Sequence, residues 1–159
     1  MMCFEPSHEN KINIHIRATY GGDFSGTGER FIKNFHRLET HTKRRLTLEN
    51  DDKASQWSVV HLMDIYEKTG MPIVFDFHHH RFCTGGLSEK EALETAMKTW
   101  PKGIIPVTHY SESAPNKMPQ AHSEYIEGPI PDYGLEFDCV IEAKAKNLCL
   151  LEYRSRYNA

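Results

Sequence analysis

Short apolar runs that alternate with stretches of helical periodicity constrain this chain more than any other feature it has. Residues 12–16 alternate apolar and polar side chains and stop at Tyr20-Gly21-Gly22-Asp23, as a strand and its turn do. From 27 to 38, Phe31, Ile32, Phe35 and Leu38 recur at helical spacing. The cycle then repeats. Residues 46–49, 73–77, 104–108 and 137–141 read as further strands, and 55–68, 88–100 and 143–153 as helices. The run 73–77 is apolar except for Asp76, which fits a strand covered on both faces. Gly70 stops the helix before it, and Ser88 with Glu91 matches a capping box at the start of the helix after it. Parallel strands need crossover connections and helices supply them, so the alternation predicts an α/β fold with a parallel sheet. Five strands do not close an eight-stranded barrel. The pattern therefore fits an open sheet or a partial TIM-type (β/α) barrel that lacks its N-terminal β-α units.

Composition narrows the class. With 39% hydrophobic and 26% charged residues, the 159-residue chain reads as a single globular domain over 1–159. A formal charge of -3 carries no global basic signal for nucleic acid, but it leaves room for a groove whose positive charge comes from metal ions and a few Lys and Arg. Cys3, Cys83, Cys139 and Cys149 form no C-x-x-C pair, and the N-terminus carries no apolar run of signal or membrane type. The expectation is an intracellular chain with reduced thiols, not secreted and with no membrane partner.

Ten histidines are present, three of them consecutive at His78-His79-His80. Glu49, Asp76, His79, His109, His122 and Glu142 each fall at the end of a predicted strand or in the loop after it, and His15 extends the pattern to a seventh position. Strand ends are where (β/α) barrels build active sites, and a mix of carboxylate and imidazole suits divalent metal ions. Each residue also has a plainer reading. Asp51 or Asp52 can cap the helix that follows Glu49, Asp76 can cap a turn, Glu142 can pair with Lys144, and a single His after a strand is often structural. His78 and His80 read as residues behind the ligands or at the surface. His8, His36, His41 and His61 show no such placement. Recurrence at consecutive strand ends favours a metal centre.

The segments 29–32, 45–52 (Arg45-Leu46-Thr47-Leu48-Glu49-Asn50-Asp51-Asp52), 72–80, His109-Tyr110-Ser111, 122–126 and Glu142-Ala143-Lys144 together resemble the C-terminal half of UV-damage endonucleases, in order, from about Lys11 to Leu151. The resemblance implies a (β/α)₈ barrel with up to three divalent ions, manganese above all, at the strand ends. It implies that Glu49 bridges two ions, that Asp76, His109 and Glu142 hold the central one, that His79 and His122 hold another, and that His15 joins Glu49 on the third. Glu49, Asp76, His109 and Glu142 would carry catalysis. Asn50, His78, Ser111 and Lys144 would support the ligands or contact the backbone of double-stranded damaged DNA.

The implied activity is incision 5′ to a UV lesion, in the cytoplasm at the nucleoid or in a nucleus. Two departures accompany the resemblance. No counterpart of the family's first three β-α units precedes Met1, so a missing N-terminal half or a second copy of the chain is an expected partner. Val107 stands where the family carries a lysine. An inactive remnant that binds metal or DNA, and a xylose-isomerase-like metal barrel enzyme, are the competing readings.

Overall fold

A computed structural model describes residues 4–157, so Cys3 lies outside the described part of the chain. Five strands, β1 (Ile12–Ile14), β2 (Leu46–Glu49), β3 (Ile73–Asp76), β4 (Val107–Tyr110) and β5 (Asp138–Ile141), form one sheet in the order 1-2-3-4-5. All four pairings are parallel. The sheet curls into half of a TIM-type barrel, as the strand and helix alternation predicts.

Helices α1 (Phe24–His36), α2 (Thr40–Lys43), α3 (Val59–Thr69), α4 (Phe77–His80), α5 (Glu89–Met97) and α6 (Asn147–Tyr157) connect or follow the strands. The main core lies between helices and sheet, where Leu48, Ile73 and Phe75 meet Trp57, Leu62, Ile65 and Leu93. A smaller cluster of Val74, Trp100 and Val107 is separate from it. Side chains alternate along a strand. The residues next to Leu48, Ile73 and Phe75 therefore point to the other face of the sheet, and among them are Glu49, Val74 and Asp76.

Local chemistry explains the boundaries. Gly70 ends α3 in the left-handed conformation at φ 71°, where a side chain would be strained. Gly28 lets α1 approach α3, since a Cβ there would lie 3.1 Å from Ile65 Cδ1 and 3.4 Å from Trp57. The Ser88 and Glu91 capping box forms at the start of α5.

Several boundaries differ from expectation. Strand β4 begins at Val107 rather than at 104, because Ile104 closes a turn onto Pro101 and the sheet pairing starts only once Pro106 C=O accepts from Asp138 N–H. The last helix begins at Asn147 instead of 143, since Lys146 takes φ 52° and breaks the helical path from Ala143. Helix α3 begins after Ser58, not at 55, and Ser58 rather than Asp51 or Asp52 occupies its cap. Phe77 leaves the strand and opens α4.

Among the described residues Cys83, Cys139 and Cys149 are free thiols, and no helix is long and apolar enough to cross a membrane.

Leu48 is fully buried at the centre of the packed face, so Leu48→Ala is expected to destabilise the fold by about 2–5 kcal/mol, read as a lower urea midpoint with an unchanged slope. A loss below about 1 kcal/mol would contradict this picture of the core.

Candidate metal centre

The site is built from the ends of the strands. Glu49 closes β2 and Asp76 closes β3, His15 follows β1, His109 sits inside β4, and Glu142 follows β5. His109 thus lies within its strand rather than after it, because β4 runs on to Tyr110 instead of ending at 108. The register places Asp76 beside His109 and His109 beside Val140, so the inner positions of neighbouring strands meet.

Asp76 and His79 are held together by one local device. Asp76 caps the four-residue helix α4, accepting from the His79 N–H at 2.8 Å, and the turn brings the imidazole back towards the strand end. Across from them, Asn50 grips the β3 backbone: its Oδ1 accepts from Asp76 N–H at 2.9 Å and its Nδ2 donates to Asp76 C=O at 3.0 Å. The Asn50 carbonyl in turn lies 2.9 Å from His79 Nδ1. His122 is placed by the long connection between β4 and β5, which folds back on itself. Ser113 and His122 form an antiparallel bridge, and Ser123 N–H donates to Glu112 C=O at 2.8 Å.

Glu49 is the shared member. Its carboxylate, 3% exposed, lies 3.3 Å from His79 Nδ1, 3.2 Å from His109 Nδ1 and 3.5 Å from His15 Nε2. His109 Nδ1 also lies 3.2 Å from Glu142, and Glu142 approaches His122 Nδ1 at 3.7 Å. Six of the seven residues thus form a chain of direct contacts, and Asp76 joins it through His79 Nδ1 at 3.8 Å. Two groups offer one ligand atom each within 4.8 Å of one another: His15, Glu49 and His79, and Glu49, Asp76 and His109. Buried Asp76 Oδ2 and His109 Nδ1 have no aligned hydrogen-bond partner. Converging imidazole nitrogens and carboxylate oxygens, two of them without an aligned hydrogen bond, fit a cation better than they fit one another.

The electrostatics agree. Burial pushes the Asp76 carboxyl up to about 6, against the downward pull of His79. Burial opposes charge on His109, but the carboxylates of Glu142 and Glu49 outweigh it and hold the imidazolium up to about 10. Glu49 stays below the usual carboxylate range: burial raises it, and the surrounding His109, His15 and His79 lower it further.

The other sequence-predicted positions divide. Asn50 has the supporting place described above. His78 is fully buried with both ring nitrogens unpartnered, its ring edge-on to His122 at 5.3 Å. Ser111 is buried with its hydroxyl unpartnered. Lys144 is exposed beside His122 at a cavity of about 410 Å³, and Glu142 contacts His109 and His122 rather than Lys144. His61 serves α3, its Nδ1 accepting from Ser58 N–H at 3.3 Å.

Two contacts are not legible in the sequence. Asn13 donates through Nδ2 to Glu49 and accepts from Thr47 Oγ1 at 3.0 Å. Its alternation with Ile12 and Ile14, on the same face as His15, is the signal that points to it. Asp51 lies 2.9 Å from His15 Nδ1 and is not a helix cap.

Comparison with known proteins matches this arrangement to one family. The family model for UV-endonuclease UvdE matches residues 1–158. The chain belongs to the UvdE family. It is 37% identical over 153 residues to a UV DNA damage endonuclease of Bacillus cereus (strain Q1), covering 89% of this chain and 47% of that protein. A UV DNA damage endonuclease of Bacillus anthracis (strain A0248) is 35% identical over 153 residues with the same coverage. The crystal structure of SacUVDE superposes with a TM-score of 0.81 at 31% identity, over 93% of this chain and 51% of that one. The chain therefore spans about half the length of the relatives it matches, and the curled five-stranded sheet is the part of the UvdE fold it shares.

Because Asn50 satisfies both backbone groups of buried Asp76, Asn50→Ala should cost about 1–3 kcal/mol by leaving the Asp76 N–H unpaired. Denaturant titration in EDTA reads this loss free of any metal contribution, and an unchanged midpoint would remove Asn50 from its supporting role.

Proposed function

We propose that this chain carries the metal-dependent phosphodiester-cleaving centre of a UV-damage endonuclease and acts on damaged double-stranded DNA, 5′ to the lesion. The observation that carries the reading is Glu49: one buried carboxylate within 3.5 Å of imidazoles from three different β-α segments, His15 after β1, His79 in α4 and His109 in β4. Family membership supplies the substrate class, since the UvdE relatives are named UV DNA damage endonucleases.

In this reading His15, Glu49 and His79 would hold one ion and Glu49, Asp76 and His109 a second, with Glu49 common to both sets. Glu142 extends the second group towards His122, and these two offer donors for a third. The carboxylate and imidazole set suits a divalent metal ion, and the family resemblance implies manganese. Divalent ions held there supply positive charge for the oxygens of a phosphodiester and for the departing 3′ oxygen, and lower the pKa of water.

The protein's own part is to place the donors, to exclude competing hydrogen bonds by burial, and to hold the proton on His109 until a cation takes its place. That last step sets a pH dependence. His109, raised to about 10, is protonated at neutral pH and must lose that proton to donate its lone pair, so affinity for Mn²⁺ rises with pH by about tenfold per unit. Below about 6, protonation of Asp76 weakens binding further. Calorimetry between pH 5.5 and 8 in buffers of different ionisation enthalpy reads the released proton, and an affinity flat across that range would contradict the assignment.

The decisive experiment incubates the purified chain with Mn²⁺ and UV-irradiated supercoiled plasmid. Nicking by the wild type, absent with undamaged plasmid and lost in Glu49→Gln, is expected. Metal binding without nicking would leave a metal-binding chain that does not cut DNA by itself, and activity retained in Glu49→Gln would remove the bridging role.

A further inference from the structure

We infer that Asp51 is a positioning residue, whose buried carboxylate orients the His15 ring so that Nε2 faces Glu49 and one end of the cluster is set before any ion arrives. The inference rests on the metal-binding reading above and deepens it.

His15 needs such a device. Strand β1 ends at Ile14, so no ladder hydrogen bond of the sheet directs the residue after it, and its side chain is partly exposed. The ring nevertheless has a defined setting. Nδ1 lies 2.9 Å from Asp51 Oδ1, Nε2 lies 3.5 Å from Glu49 Oε2, and the ring leans on His79 at 5.6 Å between centroids. The Asp51 approach lies off the line of the ring N–H, so the attraction is that of a close carboxylate more than of an ideal hydrogen bond.

Asp51 is anchored from the opposite side. Its backbone N–H donates to Trp57 C=O at 2.8 Å, and its Oδ2 accepts from Trp57 N–H at 3.3 Å. Trp57 belongs to the main core, so the setting of His15 is tied through Asp51 to the packing of α3. The same contacts explain why Asp51 is not itself a ligand: one oxygen is taken by the Trp57 N–H and the other by the His15 ring. A carboxylate at Nδ1 favours the tautomer protonated there and leaves the Nε2 lone pair free for a cation, and partners of this kind are worth 10–100-fold in metal affinity.

Asp51→Asn tests this, because an amide keeps an acceptor for Trp57 N–H while removing the carboxylate that favours a proton on Nδ1. Long-range ¹H–¹⁵N NMR of the metal-free chain in alkaline buffer, where the ring is neutral, should find wild-type His15 protonated at Nδ1 and shifted towards Nε2 in Asp51→Asn. Mn²⁺ titration followed by electron paramagnetic resonance should show affinity for at least one ion falling about 10–100-fold in Asp51→Asn. Combined with His15→Ala, the Asp51→Asn change should add nothing further, since a residue acting through His15 has no effect without it.

A His15 tautomer that is the same in wild type and Asp51→Asn would overturn the inference, as would a loss of affinity that persists undiminished in the His15→Ala background. If Asp51→Asn fails to fold, the wild-type spectrum still decides, because a neutral His15 protonated at Nε2 contradicts the proposal. If the wild type binds no Mn²⁺, the metal reading fails while the tautomer measurement still tests the Asp51 and His15 contact.

Discussion

A buried carboxylate at the end of β2 sets the terms for everything around it. Glu49, nearly inaccessible to water, would be costly as an isolated charge, and the protein surrounds it with imidazoles from His15, His79 and His109 and with the amide of Asn13. Those partners come from three other strand ends, so the compensation exists only when the parallel sheet is in register. The site is therefore complete only when the strands are paired in this register. Asn50, the next residue, makes the connection explicit by fastening the β2 end to the Asp76 backbone of β3.

Support for the candidate site is layered. The donors sit on strand ends and on the short helix α4. Behind them stand residues with paired contacts, Asn50 on Asp76 and Asp51 on Trp57, and behind those lies the helix-facing core of Leu48, Ile73 and Phe75. An arrangement of this kind keeps Asp76 Oδ2 and His109 Nδ1 pointed at one place without aligned hydrogen bonds, which suits a group of side chains that could hold a cation.

Much of this was legible before any coordinates. The alternation of strand and helix patterns named all five strands, and the recurrence of carboxylate and imidazole at their ends picked out the seven residues that now stand in contact. Asp76-x-x-His79 was read as strand end plus loop, and its reality as an N-cap and the third residue of a short helix is a refinement of the same spacing. What escaped were boundaries set by backbone conformation. Lys146 in the left-handed region and the turn before Pro106 carry little signal in side-chain periodicity, so β4 and α6 were placed several residues early.

The sequence by itself determined the class of fold, the family resemblance and the candidate donors, because periodicity and residue chemistry are local properties written along the chain. Only the tertiary structure decided which donors share which partner. Asp51, a helix-cap candidate by position, faces His15; Glu142, a metal-site candidate whose plainer reading is a pairing with Lys144, faces His109 and His122; and Asn13 lies on Glu49. Each of those contacts joins residues on different elements, and their distances depend on sheet register and curl, which the local pattern of one chain does not contain.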